Sequence, residues 1–144
     1  GSAVRDAYFS APATMLGLED LLALNRVICS SALVRKDLIV QCGGFPEAPA
    51  LKALDDYALW LRIATMTEFN YRPEPLVLYT DTPQASVRST WTSGALVREA
   101  ALSDLHAWAK ANTVDGAQRS AIARNLRGAK RAAGRPPWKW LFIS

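Results

Sequence analysis

Leu54-Asp55-Asp56-Tyr57-Ala58-Leu59-Trp60-Leu61-Arg62 sets two adjacent carboxylates in front of a dense apolar run. Leu59, Ile63 and Met66 fall on one face at helical spacing, with Trp60 and Ala64 beside it. The pattern predicts a mostly buried helix ending near Thr67. Asp55 or Asp56 is the expected cap, accepting a hydrogen bond from an orphan backbone N–H at the end of the helix dipole that favours negative charge. Such a helix aims a carboxylate pair out of its N-terminus. On its own, the stretch reads as one cap and one solvated neighbour, and the rest of the chain decides whether it is more.

Outward from this helix, the chain is long enough for one domain with a real core: 144 residues, half of them apolar and 21% charged. Gly1-Ser2 resembles a cloning scar, so a natural start further upstream is expected. The first residues show no signal-peptide pattern, and no run approaches the roughly 18 apolar residues of a membrane span. Cys29 and Cys42 lack metal-site spacing and read as buried thiols of a reducing compartment rather than a disulfide. The net charge of +4 hides an asymmetry. Residues 1–109 carry nine Lys/Arg against twelve Asp/Glu, whereas residues 110–144 carry eight Lys/Arg and only Asp115. The basic character, and any attraction for an anionic partner, therefore belongs to the tail.

In chain order, residues 1–16 read as a loop or short helix, and Leu18–Leu24 as a short helix ended by Asn25. Val27-Ile28-Cys29-Ser30-Ser31-Ala32-Leu33-Val34 is apolar and rich in β-branched and small residues, the pattern of a strand buried on both faces. Arg35–Gln41 reads as a short helix with Leu38 and Ile39 inward. Gly43-Gly44 stops it, because glycine supplies backbone angles that residues with a Cβ resist. Short strands are expected at Glu68–Tyr71 and Leu76–Tyr79, separated by Pro73-Glu74-Pro75. Thr92 or Ser93 caps a long helix over 94–111, with Leu96, Ala100, Leu105 and Trp108 approximating one face. Thr113 or Asp115 caps a last helix to about Ala133, with Ile122 and Leu126 inward.

Taken together, Ser30-Ser31-Ala32-Leu33-Val34-Arg35, Gly43-Gly44-Phe45-Pro46-Glu47, Asp55-Asp56-Tyr57-Ala58-Leu59-Trp60-Leu61-Arg62 and Glu74-Pro75-Leu76-Val77-Leu78-Tyr79 stand in a telling order. Over about residues 25–88 this resembles the C-terminal, acceptor-side half of the bacterial family 2 inverting glycosyltransferases of the GT-A fold. The resemblance implies a helix-rich α+β fold, with residues 1–88 as the acceptor-side part and 89–144 as a helical extension with a basic tail. It implies a nucleotide-sugar donor and a glycan or lipid-linked acceptor. By position, Asp56 matches the general base that takes the acceptor hydroxyl's proton, and Asp55 a helper that contacts the acceptor or orients Asp56. Gly43 and Gly44 would let backbone approach the sugar, with Phe45 packed below, and Ser30 and Ser31 would lie at the sugar-binding edge. Each has a plainer role as well: helix stop for the glycines, small core residues for the serines. Trp60, although at the position of a sugar platform, reads first as core, and Arg62 as a side chain that snorkels or pairs with a local carboxylate rather than one that binds phosphate.

Two departures limit the resemblance. The nucleotide-binding half is absent, and with it the Asp-x-Asp motif that holds a divalent metal, Mg or Mn, on the donor diphosphate. This chain contains no Asp-x-Asp. Where many relatives have Tyr-Arg-x-His, this chain has Tyr79-Thr80-Asp81-Thr82, and its lone histidine, His106, falls mid-helix. The metal is expected in the complete enzyme and not on these residues, and the chain alone is expected to be inactive. A missing half should expose a sheet edge, so domain swapping or a homodimer is expected. The basic stretch 125–144, with Pro136-Pro137-Trp138-Lys139-Trp140-Leu141-Phe142, suits peripheral contact with the inner face of a membrane, or packing back onto the domain. The expected location is cytoplasmic. The alternative function is a non-catalytic membrane-surface or protein-interaction module. No recognition motif supports nucleic-acid binding.

Overall fold

The computed structural model describes residues 15–72, 74, 76–77 and 93–134. Its elements run β1 (Met15–Leu16), α1 (Leu18–Ala23), a 3-10 turn (Cys29–Ser31), α2 (Lys36–Gln41), a second 3-10 turn (Pro49–Leu51), α3 (Asp55–Ile63), β2 (Phe69–Asn70), α4 (Gly94–Ala111) and α5 (Gly116–Ala133). β1 and β2 form a two-stranded antiparallel pair, with Met15 opposite Asn70 and Leu16 opposite Phe69. The described residues are a helix-rich α+β structure, in agreement with the class read from the sequence.

α3 sits at the centre because it is apolar on every side. All residues from Tyr57 to Ala64 are buried. Leu59, Leu61 and Ile63 join Leu21 and Leu22 of α1, Leu102 and Leu105 of α4, and Ile122 and Leu126 of α5 in one cluster. A smaller cluster of Leu51, Leu54 and Ala58 packs against Val97 and Ala100 of α4. Helices on both sides of the expected 88/89 boundary thus share the main core. The boundary itself lies outside the described residues.

Polar ties lock this packing. The C-terminal carbonyls of a helix lack partners within it, and α1 finds them elsewhere. The Tyr57 hydroxyl donates to the Leu21 carbonyl at 2.6 Å, and Arg98 Nη2 donates to the Leu22 carbonyl at 2.7 Å and to Asn125 Oδ1 at 3.0 Å. Burial pushes the Tyr57 hydroxyl up to about 12, so it stays a donor. Gln118 of α5 donates to the Thr65 carbonyl just past α3.

The two C-terminal helices form where their caps predict. Ser93 Oγ accepts from Ala95 N–H, and Asp115 Oδ1 accepts from Ala117 and Gln118 N–H. α1 and α2 also form close to their expected positions. The buried face of α4 differs from expectation: it is Ala101, Leu102, Leu105 and Ala109, while Leu96 is exposed. In α3, Met66 falls past the helix end and is exposed as well.

Three expectations of strand or burial fail. Residues 27–34 are not a strand. Ser31 N–H and Oγ both donate back to the Ile28 carbonyl, at 2.9 and 2.8 Å. This local bonding turns the chain and competes with a ladder. Cys29, Ser30, Ser31 and Leu33 are exposed, so the serines are not core residues and Cys29 is not a buried thiol; Cys42 is buried, and both cysteines are free. Met15–Leu16, expected as loop or helix, is a strand, because β2 offers it a partner far away in sequence. Leu76 and Val77 form no strand and are exposed. The remainder of that expected strand, Pro73, Pro75, the cap at Thr92 and the tail 135–144 lie outside the described residues.

Candidate functional site

The residues singled out in the sequence gather around the two ends of α3. At its start, Leu54 is the N-cap residue and no side chain caps it. Asp55 and Asp56 occupy the first helical positions instead. Neither is the expected cap, yet Asp56 performs part of the task from within the helix: its Oδ1 accepts the Tyr57 N–H at 2.6 Å. The preceding Ala53 has φ +64°, a left-handed conformation that costs a residue with a Cβ about 1–2 kcal/mol. No glycine announces this turn in the sequence, so sequence reading missed it. Backbone strain of this kind persists only where the surroundings enforce it. Here Leu51 and Leu54 are pinned in the smaller cluster on either side.

Asp55 and Asp56 are both half-buried. Burial pushes the Asp56 carboxyl above its usual range; the Tyr57 N–H works against this and the Asp55 charge adds to it. Although Cys29 is largely exposed, the slight desolvation of its thiol raises its pKa, and the carboxylates of Asp56 and then Asp55 add to that shift. The turn carrying Cys29, Ser30 and Ser31 therefore lies within electrostatic reach of the acid pair. Ser30 and Ser31 stand on an exposed turn rather than a strand edge.

The Gly43-Gly44-Phe45 segment joins α3 further along. Gly43 (φ +81°) and Gly44 (φ +77°) both adopt the left-handed region. Gly44 N–H donates to the Ile39 carbonyl at 2.9 Å and Gly43 N–H to the Val40 carbonyl at 3.0 Å. This pair of bonds is a Schellman cap, so the helix-stop role of these glycines is met in full. No side chain lies within 4 Å of where a Cβ on Gly44 would stand, so space is not what requires glycine there. Phe45 packs edge-on against Trp60 at 6.2 Å, and Phe69 does the same from another side at 6.1 Å. Trp60 is 3% exposed. It is a core residue linking the glycine segment to β2, not a surface for stacking a sugar. Its Nε1 has no partner among the described residues.

At the far end of α3, Arg62 is 8% exposed. Its Nη1 donates to the Cys42 carbonyl at 3.0 Å, at the end of α2 where a cation suits the helix dipole. Its Nε and Nη2 grip both oxygens of Asp104 in α4, at 2.8–3.1 Å. Its guanidinium lies 6.0 Å from the Trp108 ring centre. Arg62 does pair with a carboxylate, but one 42 residues away rather than a local one. Asp104 was not singled out from the sequence. Its signal was a single acid inside the run Ala100-Ala101-Leu102-Ser103-Asp104-Leu105.

Among the described residues, no group of three or more His, Cys, Asp or Glu side chains could hold a metal ion. His106 lies on α4 beside Lys110, and burial first, then Lys110 and Lys130, hold its imidazole below its usual range. No helix among the described residues is long and apolar enough to cross a membrane. Comparison with protein-family models, with curated proteins and with solved structures returns no match.

Proposed function

We propose that this chain is the acceptor-side part of a nucleotide-sugar-dependent inverting glycosyltransferase of the GT-A type, with Asp56 as general base and Asp55 as its helper. The observation that carries the reading is the placement of the acid pair. Two half-buried carboxylates sit on the first turn of a helix otherwise buried from Tyr57 to Ala64, behind a strained residue. A base must be rigidly placed within hydrogen-bond reach of the proton it removes, and it works best when its pKa moves toward the working pH. Burial moves Asp56 in that direction. In the reaction, the Asp56 carboxylate takes the proton of the acceptor hydroxyl. The freed oxygen pair attacks the anomeric carbon, and the nucleotide diphosphate leaves from the opposite face. The donor, and the metal on its diphosphate, would be held by a nucleotide-binding half that is either encoded upstream of Ala3 or supplied by another chain. The proposed setting is the cytoplasm, with a glycan or lipid-linked acceptor.

The test is to extend the coding sequence upstream of Ala3, assay sugar transfer, and then make Asp56→Asn in that longer protein. A β/α stretch with Asp-x-Asp is expected ahead of Ala3 where the nucleotide-binding half belongs to the same chain, and on the partner where another chain supplies it. Loss of the base should lower turnover by about 10²–10⁴-fold while donor affinity stays within about twofold. Wild-type turnover in Asp56→Asn would remove the base from the proposal.

A further inference from the structure

α5 carries a second feature that sugar transfer does not use. Arg119, Arg124, Arg127, Lys130 and Arg131 are all exposed, and the helix contains no acidic residue. At 100° per residue these five fall within an arc of about 140°, opposite the buried Ala121, Ile122, Leu126 and Ala129. Among the described residues, the one carboxylate in contact with this face is Glu19, 3.7 Å from Arg124, with both side chains about two-thirds exposed. A pair that open adds little. Lys110 and His106 of α4 border the face, and the depressed imidazole of His106 registers both Lys110 and Lys130.

We infer that this face of α5 is an electrostatic docking surface for an anionic lipid bilayer. Three observations choose the bilayer among polyanions. The residues that share the arc with the cations are Gly116, Ser120 and Ala123, so the face is low and offers no aromatic ring on which a base could stack. The amide side chains that could read base edges are committed internally: Gln118 donates to the Thr65 carbonyl, and Asn125 accepts from Arg98 and donates to the Ala121 carbonyl. Finally, α5 is followed in sequence by Trp138-Lys139-Trp140-Leu141-Phe142, a composition suited to the bilayer interface. The apolar side of α5 is already in the core, so the helix lies against headgroups by charge and does not insert. Its contribution should therefore be strongly screened by salt.

The experiment is co-sedimentation of the full chain with phosphatidylcholine vesicles, with and without phosphatidylglycerol, at low and high salt. It needs no donor or acceptor, so it stands or falls apart from the glycosyltransferase reading. The chain should bind only vesicles containing phosphatidylglycerol and leave them at high salt. Arg127→Gln/Lys130→Gln/Arg131→Gln should weaken binding by about a hundredfold, about fivefold per cation. Removing three exposed cations elsewhere, Arg26→Gln/Lys36→Gln/Lys52→Gln, should cost far less. Four results overturn the inference: no binding to anionic vesicles, equal binding to neutral ones, equal losses in the two triple variants, or tighter retention by duplex nucleic acid at the same ionic strength. Should the first variant lose its helical circular dichroism, the salt titration of the unaltered chain decides; salt-insensitive binding would exclude an electrostatic surface.

Discussion

α3 holds charge at both ends, on opposite terms. At its C-terminal end Arg62 is buried, and Asp104 and the Cys42 carbonyl satisfy it. At its N-terminal end Asp55 and Asp56 are half-withdrawn from water, and among the described residues no cation forms a salt bridge with them. The first arrangement is architecture: one side chain joins the end of α2, the C-terminal end of α3 and the middle of α4. The second works against stability. Two like charges sit side by side, and burial opposes the ionisation of Asp56. Groups held against their own solvation preference are characteristic of sites kept for chemistry. The contrast therefore sorts one helix into a part that holds the fold and a part proposed to act.

Arg62→Ala strains the contrast most. It leaves Asp104 without its cation and the Cys42 carbonyl without its donor. Breaking a buried pair from one side costs about 3–5 kcal/mol. Urea denaturation should show a loss of that order, and the near-ultraviolet signal of Trp108 and Trp60 should change with it. A loss under about 1 kcal/mol would mean that the pair is no more than a surface contact, and the contrast would collapse.

Gly43→Ala tests the joint between α2 and α3. The nearest atom to an added Cβ is Arg62 Nη1 at 3.9 Å, an ordinary contact, so the penalty is conformational alone. A residue with a Cβ at φ +81° should cost about 1–2 kcal/mol. Gly44→Ala, at φ +77° with open space around it, should cost about the same. A much larger loss at Gly43 alone would show that the Arg62 contact is tighter than the geometry indicates.

How much of this was legible in the sequence depended on whether the cause was local. α4 and α5 were, because Ser93 and Asp115 mark their starts and the apolar spacing continues behind them. The end of α2 was, because a Gly-Gly pair after a short apolar helix points to a left-handed cap. Residues 27–34 misled because strand composition needs a partner ladder to become a strand, and Ser31 offered the backbone a local bond first. Met15–Leu16 was invisible for the converse reason: its partner, Phe69–Asn70, lies more than 50 residues away. Arg62 advertised a need for a carboxylate without saying which one. Of the site, the acid pair and its helix could be read from the residues. The left-handed Ala53 behind it could not, since alanine gives no sign of that conformation.

Ala53 gives the next prediction. Ala53→Gly should relieve the left-handed strain, partly offset by the greater freedom of glycine in the unfolded chain, for a net gain of about 0.5–1 kcal/mol. Thermal unfolding would measure it. If stability falls instead, the backbone at φ +64° is held there without strain, and Ala53 plays no part in tensioning the acid pair.

Asp56→Asn should have the smallest effect on stability, and its sign is the most informative. The folded chain raises the Asp56 pKa above its ordinary value of 3.8. Below 3.8 the carboxyl is protonated in both states and carries no penalty. As pH rises from 3.8 through the raised folded value, the unfolded chain gives up its proton first, so stability falls across that window and stays lower above it. Asparagine keeps an oxygen to accept the Tyr57 N–H and has no proton to lose. At neutral pH Asp56→Asn should therefore match or slightly exceed the unaltered chain. Because the group is only half-buried, solvent screening limits the gain to about a few tenths of a kcal/mol. Below 3.8 the difference should vanish. The two unfolding free energies, measured as a function of pH, should accordingly diverge upward through that window. If Asp56→Asn is destabilised at neutral pH by more than about 1 kcal/mol, the negative charge of Asp56 itself stabilises the start of α3. The two ends of α3 would then both be architecture.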